Sequence, residues 1–235
     1  MTDTFITTLK DLERSAGRPQ RFSASFVEVL PVNGASVSTV GKVLGSETVS
    51  ATDDVAAYLD ELQFDLGEGP CWDAVRSARA VIEPDFVGGG ASRWPTLAAA
   101  ARLTPIASIF AFPLVVGALR FGAVDLYSRS RMMLDVTQEQ QAVALADVVG
   151  RHVLREALTV SRVDHEPDAK PYSRRTVHQA TGVVLAQVDL DPDDAMLMIQ
   201  AHAFGAGETM MKVSQDILDG RLRFTRTEHG IEVNT

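Results

Sequence analysis

Cysteine is nearly absent. The single one, Cys71, rules out an internal disulfide, so the fold has to hold by packing and hydrogen bonds, and the composition points to a reducing compartment. No uninterrupted apolar run approaches the roughly 18 residues of a membrane-spanning helix. The opening MTDTFITTLKDLERS has neither the basic nor the apolar segment of a secretory leader. A cytoplasmic location without a membrane partner is therefore expected. Positive charge is also scarce: 22 Lys and Arg face 31 Asp and Glu, a formal net charge of -9. That sign excludes indiscriminate attraction to nucleic acid or an anionic membrane, and leaves any polyanion to a local basic patch.

Motifs of chemistry are missing as well. The stretches GGGAS at 88–92 and GEG at 67–69 lack the Gly-Lys-Ser/Thr ending, and the strand-before, helix-after context, of a phosphate loop. The histidines, at 152, 165, 178, 202 and 229, show neither i, i+4 pairing nor neighbouring thiolates and carboxylates. His152 reads as a helix-surface residue and His202 as core-adjacent. The DLDPDD run at 189–194 lacks the glycine and the terminal glutamate of a calcium loop, and helix capping explains it better. No nucleophile elbow or acid/base pair stands out. The chain is thus expected to be no enzyme, with no cofactor and no metal.

What is present is an ordinary globular composition, 46% apolar and 23% charged, in a length of 235 residues that suits two domains. Phe5, Leu9 and Leu12 space a first helix over 3–13, and FSASFVEVL at 22–30 is ambiguous between helix and strand. GASVSTVGKVLGSETVSATD at 34–53 alternates small, β-branched and polar residues around a turn, which predicts two antiparallel strands. A helix is expected over 53–64, a short strand over 81–86 and a short helix over 92–103. The apolar runs 106–116 and 118–128, split by Gly117, predict a central hairpin. An antiparallel sheet with short helices between its strands is an α+β arrangement. Residues 137–163 form one long helical pattern with Ala142, Ala146, Val149, Val153 and Val160 on one side, longer than its own domain needs and so suited to pairing in a homodimer. The proline-containing stretch 164–172 is expected to be a linker.

The tail predicts an all-α three-helix bundle over 173–222. Val177, Ala180, Thr181, Val184 and Val188 make one apolar stripe, with Leu185 at its margin. Asp191, Pro192 and Asp194 form a capped start for the second helix, which is expected to stop at Gly205. Met210, Val213 and Ile217 space the third, with Gly220 as its stop. On the outer side of the first helix lie Arg175, Gln179, Gly182 and Ala186, flanked by His178. A mid-helix glycine there costs about 1 kcal/mol relative to alanine, so a close approach from outside should repay it. Residues 223–235 read as a C-terminal tail.

Two resemblances follow from these patterns. R-x-V-H-Q-A-T-G-V-V, an acidic cap, D-A-M-L-M-I-Q-A-H-A and K-V-S-Q-D-I-L, over about 172–222, resemble the ANTAR domain of transcription antitermination regulators. The resemblance implies a dimer that binds paired RNA stem-loops and no catalysis. It assigns RNA binding to Arg174, Arg175, His178, Gln179, Thr181, Gly182 and Ala186: the arginines to phosphates, His178 or Gln179 to an unstacked base, the small residues to close approach. Where many members carry a basic residue before the glycine, this chain has Thr181. LQFDLGEGPCWDAV at 62–75, Val81–Ile82, RWP at 93–95 and FAFPLVVGALRFGAVDLY at 110–127 resemble a GAF domain, a small-molecule sensor fold, over about 20–155.

The combined expectation is a GAF-like sensor over 1–160 that controls an ANTAR-like domain over 173–222. Trp72, Trp94, Phe110 and Phe112 are candidate walls of a pocket for an unidentified small molecule, or core. Cys71, behind Pro70 at a helix start, is a candidate sensor thiol, or a small buried hydrophobe. The main alternative is a DNA-binding helix-turn-helix tail built on 203–212, against which Met210 and Met211 stand where base-reading side chains belong. A GAF-type methionine sulfoxide reductase would need more than this one cysteine.

Overall fold

The structure, a computed structural model, describes residues 3–15, 18–41, 44–160, 174–227 and 230–234. It divides into two compact units, Met1–Tyr172 and Ser173–Thr235. The proposed linker 164–172 lies outside the described residues.

The first unit is built on five antiparallel strands in the order β2-β1-β5-β4-β3. These are β1 Gly34–Thr39, β2 Glu47–Ala51, β3 Val81–Glu83, β4 Ser108–Val116 and β5 Leu119–Ser128. The long β4–β5 hairpin is the centre of the sheet, and its reversal falls on Gly117 at φ 62°, where a two-residue turn requires a left-handed residue. One face is covered by α1 (Asp3–Glu13), α2 (Gln20–Val29) and α7 (Val136–Val160), which enclose Phe22, Phe26, Phe110, Phe112, Leu145 and Val149. The ambiguous run at 22–30 is thus a helix: Phe22 and Phe26 lie one turn apart, which puts both aromatic rings in that core.

The other face is covered by α3 (Asp54–Leu66), α4 (Pro70–Ser77), a π-helical turn (Phe86–Gly90), the single turn α5 (Ala91–Arg93), α6 (Pro95–Ala100) and a 3-10 turn (Ala101–Leu103). Helices on both faces of an antiparallel sheet make the α+β architecture expected from the pattern. His152 departs from its surface assignment. It is buried and stacks on Phe22 at 5.7 Å, because the α7 face that carries it is closed by α1 and α2. Burial, assisted by Arg155, lowers the pKa of its imidazole.

The second unit contains α8 (Arg175–Val188), α9 (Pro192–Ala206) and α10 (Met210–Leu218). The buried stripe of α8 is Val177, Ala180, Thr181, Val184 and Val188. Asp191 caps α9 by accepting from the Asp194 N–H at 2.9 Å, and Thr209 caps α10 through the Lys212 N–H at 3.1 Å. The second helix runs past Gly205 and ends at Gly207, whose φ of 69° supplies the left-handed stop. The expected tail is instead a hairpin, β6 (Arg223–Thr227) and β7 (Gly230–Asn234). Phe224 closes the bundle, buried, edge-on to His202 at 6.0 Å, with its N–H on Gln187 Oε1 at 3.0 Å.

Candidate functional site

In the first unit the covered face of the sheet carries a buried polar hub. Gln63 of α3 donates through Nε2 to Asp125 Oδ2 of β5 at 3.0 Å and accepts at Oε1 from the Cys71 N–H at 2.9 Å. Its main-chain oxygen accepts from Trp72 Nε1 at 2.6 Å. Asp60, one turn earlier on α3, accepts from the Thr48 hydroxyl of β2. Gly69 makes the hub possible: it sits at φ 138°, and a Cβ there would come within 2.4 Å of Gln63 Oε1. Burial, reinforced by the Asp60 charge, pushes the Asp125 carboxyl up to about 8, against the pull of hydrogen bonds from Gln63 and Cys71.

The four aromatics expected to line a pocket, and the candidate sensor Cys71, are not all together. Cys71 and Trp72 adjoin the hub at the start of α4, and Cys71 is 2% exposed, which removes its thiol from solvent. Trp94 belongs to the neighbouring apolar cluster; its Nε1 donates to Asp73 Oδ2 at 3.0 Å and the Arg93 guanidinium lies 4.2 Å over its ring. Phe110 and Phe112 are corrected outright. Alternation along β4 sends both to the opposite side of the sheet, into the core under α1, α2 and α7, so they share no space with the tryptophans. Gln63, Asp60 and Asp125 were missed; the signal that could have found Asp125 is that it is the one acid inside the run FGAVDLY.

In the second unit, Arg175, His178, Gln179, Gly182 and Ala186 are all exposed along α8. A Cβ built on Gly182 meets nothing within 4 Å. Two of the expected contacts are corrected. Arg174 is 5% exposed: it is the N-cap of α8, and successive helical positions are about 100° apart, so the two arginines cannot share one face. Thr181 lies on the buried stripe, its hydroxyl donating to Val177 O at 2.8 Å.

An antiparallel sheet closed on both faces by helices, with a polar hub buried under one of them, defines an α+β module of the sensor-domain type. A family model described as GAF domain matches residues 17–154, more than half of the chain, and the chain belongs to that family. No curated protein matches it. Among solved structures it is similar to the GAF domain of an Acinetobacter phosphoenolpyruvate-protein phosphotransferase, with a TM-score of 0.51 at 9% identity over 71% of this chain and 100% of that one. The chromophore-binding domain of the bacteriophytochrome RpBphP3 from R. palustris matches with a TM-score of 0.50 at 11% identity, over 66% of this chain and 62% of that one. The type II free methionine-R-sulfoxide reductase from Thermoplasma acidophilum matches with a TM-score of 0.42 at 14% identity, over 65% and 96%. At these identities the likeness shows the fold alone. That last neighbour is an enzyme, and the expectation that this chain is no enzyme is withdrawn, since a motif missing from a sequence does not exclude catalysis. Among the described residues no helix is long and apolar enough to cross a membrane.

Proposed function

We propose that the chain is a signal-responsive regulator whose second unit binds RNA stem-loops as a homodimer and acts in transcription antitermination, under control of the GAF domain. The observation that carries this reading is Gly182. It lies in the middle of α8, exposed, where glycine weakens the helix and no neighbouring atom needs its small size. The residues sharing that side, Arg175, Gln179 and Ala186, combine one cation, one amide and another small side chain, with His178 beside them. Such a face suits a phosphate backbone and an unstacked base lying close to the helix. In this reading a ligand or partner of the GAF domain alters how two tails meet a pair of hairpins.

The test is a filter-binding titration of the full chain against a two-hairpin RNA and against duplex DNA of equal length. The proposal expects preference for the RNA, with Arg175→Glu weakening it about tenfold or more. Equal or tighter binding to the duplex would transfer the reading to a DNA-binding tail. Unchanged RNA affinity in Arg175→Glu would remove the face assigned here.

A further inference from the structure

A cleft of about 420 Å³ opens in the first unit between the π-helical turn and the α5–α6 segment, away from the Gln63–Asp125 hub. Its floor is Phe86, Ala101 and Ile106, all at most 3% exposed. Its walls are small, Ala91, Pro95, Ala98 and Ala99, so the space exists because these residues do not fill it. The volume falls within the range of small-molecule sites, about 300–1,000 Å³.

The wall opposite the helices is fixed in an uncommon shape. Asp85 caps the π-helical turn by accepting from the Gly88 N–H at 3.0 Å and is held in turn by Arg131 at 3.1 Å. A Cβ on Gly88 would come within 2.6 Å of Asp85 Oδ2, and one on Gly90 within 2.6 Å of the Phe86 ring. The triple glycine therefore serves this turn, and π-helical turns concentrate at functional sites. Val87, on the lip of the cleft, is 66% exposed, an apolar side chain left in water.

One cationic group lines this apolar space. Arg102 is exposed and, among the described residues, its guanidinium makes no hydrogen bond or ion pair, unlike those of Arg93 and Arg131, which are held by Glu83 and Asp85. Among the described residues no acid lines the cleft. A buried apolar floor with a lone guanidinium at the mouth fits a molecule with a hydrocarbon body and a carboxylate head, which a guanidinium binds through two parallel hydrogen bonds.

We infer that the cleft between Phe86 and Ile106 binds a medium-chain organic acid, its hydrocarbon over the apolar floor and its carboxylate on Arg102. This inference does not depend on RNA binding by the tail. The full chain is titrated with octanoate, and the alanine methyl resonances are followed by NMR. Saturable shifts are expected at Ala91, Ala98 and Ala99. Acetate, which lacks the hydrocarbon body, and octylammonium, which reverses the charge, should each bind at least about tenfold more weakly. Arg102→Gln should weaken octanoate about tenfold, and Ala99→Trp, at an exposed wall position, should block it while the remaining spectrum keeps its dispersion. Shifts located elsewhere, equal binding of octylammonium, or unchanged affinity in Arg102→Gln would each overturn the assignment.

Discussion

Gly182 gives a residue-scale prediction in which stability and function separate. Because an added Cβ meets no atom within 4 Å and the position is helical, Gly182→Ala should stabilise the second unit by about 0.5–1 kcal/mol in denaturant unfolding. A destabilised variant would mean that the glycine serves internal packing, and the argument for an outside partner would lose its footing. Asp125 gives a second. Its carboxyl titrates near 8 in the folded chain against an ordinary value of 3.8, so between those limits the folded state holds a proton that the unfolded state has released. Stability from this group is full below that window and is lost as pH rises through it. Asp125→Asn, whose amide oxygen can still accept from Gln63, should flatten this slope and exceed the parent by roughly 1–3 kcal/mol at pH 8.5. Parallel pH profiles for parent and variant would show that the Asp125 proton does not differ between the two states. Asp60, Cys71 and Thr48 surround the same hub, so the comparison is made within one variant and not across several.

Elements were legible where one signal dominated. Asp191 and Pro192 marked a helix start through cap chemistry that depends on a few adjacent residues, and the β4–β5 hairpin announced itself by two apolar runs about Gly117. The site was harder, because it depends on which side of an element a residue faces. Phe110 and Phe112 looked like pocket walls by residue type, yet a sheet with helices on both faces gives aromatic side chains two cores to enter, and the sequence alone does not choose between them. Arg174 and Arg175 looked like a pair because they are adjacent, although adjacency on a helix separates them. The β6–β7 hairpin was read as a tail, because RFTRT offers one apolar side chain, Phe224, among polar ones, and that ring is buried. That ring implies that the hairpin is part of the bundle's core. Phe224→Ala should cost the second unit about 3–5 kcal/mol, measured by the loss of His202 and Val184 chemical-shift dispersion in denaturant. A cost below about 1 kcal/mol would show that the three helices suffice without it.

On the scale of the whole molecule the proposed RNA binding has to meet a net charge of -9. Repulsion from the bulk of the protein acts at long range and is screened within about 10 Å at 0.1 M salt, so binding has to come from contacts at close quarters. The described cations near the tail are few, and some are committed: Arg221 is paired with Asp216 and Asp219, and Arg226 donates to the Asp189 carbonyl at 3.3 Å. Arg174 is buried, and Arg175 is exposed at the start of α8. If each copy neutralises about one phosphate through Arg175, the slope of log affinity against log salt should be about -0.8 for one copy and near -1.6 for two, at roughly -0.7 to -0.9 per phosphate. Measured from 50 to 200 mM KCl on one-hairpin and two-hairpin RNAs, the slope should double with the second hairpin. A slope that stays the same on both RNAs would mean that one copy does all the binding. A slope near zero would mean that the exposed face of α8 meets no phosphate at all, and the small side chains of Gly182 and Ala186 would then need a protein partner as their explanation.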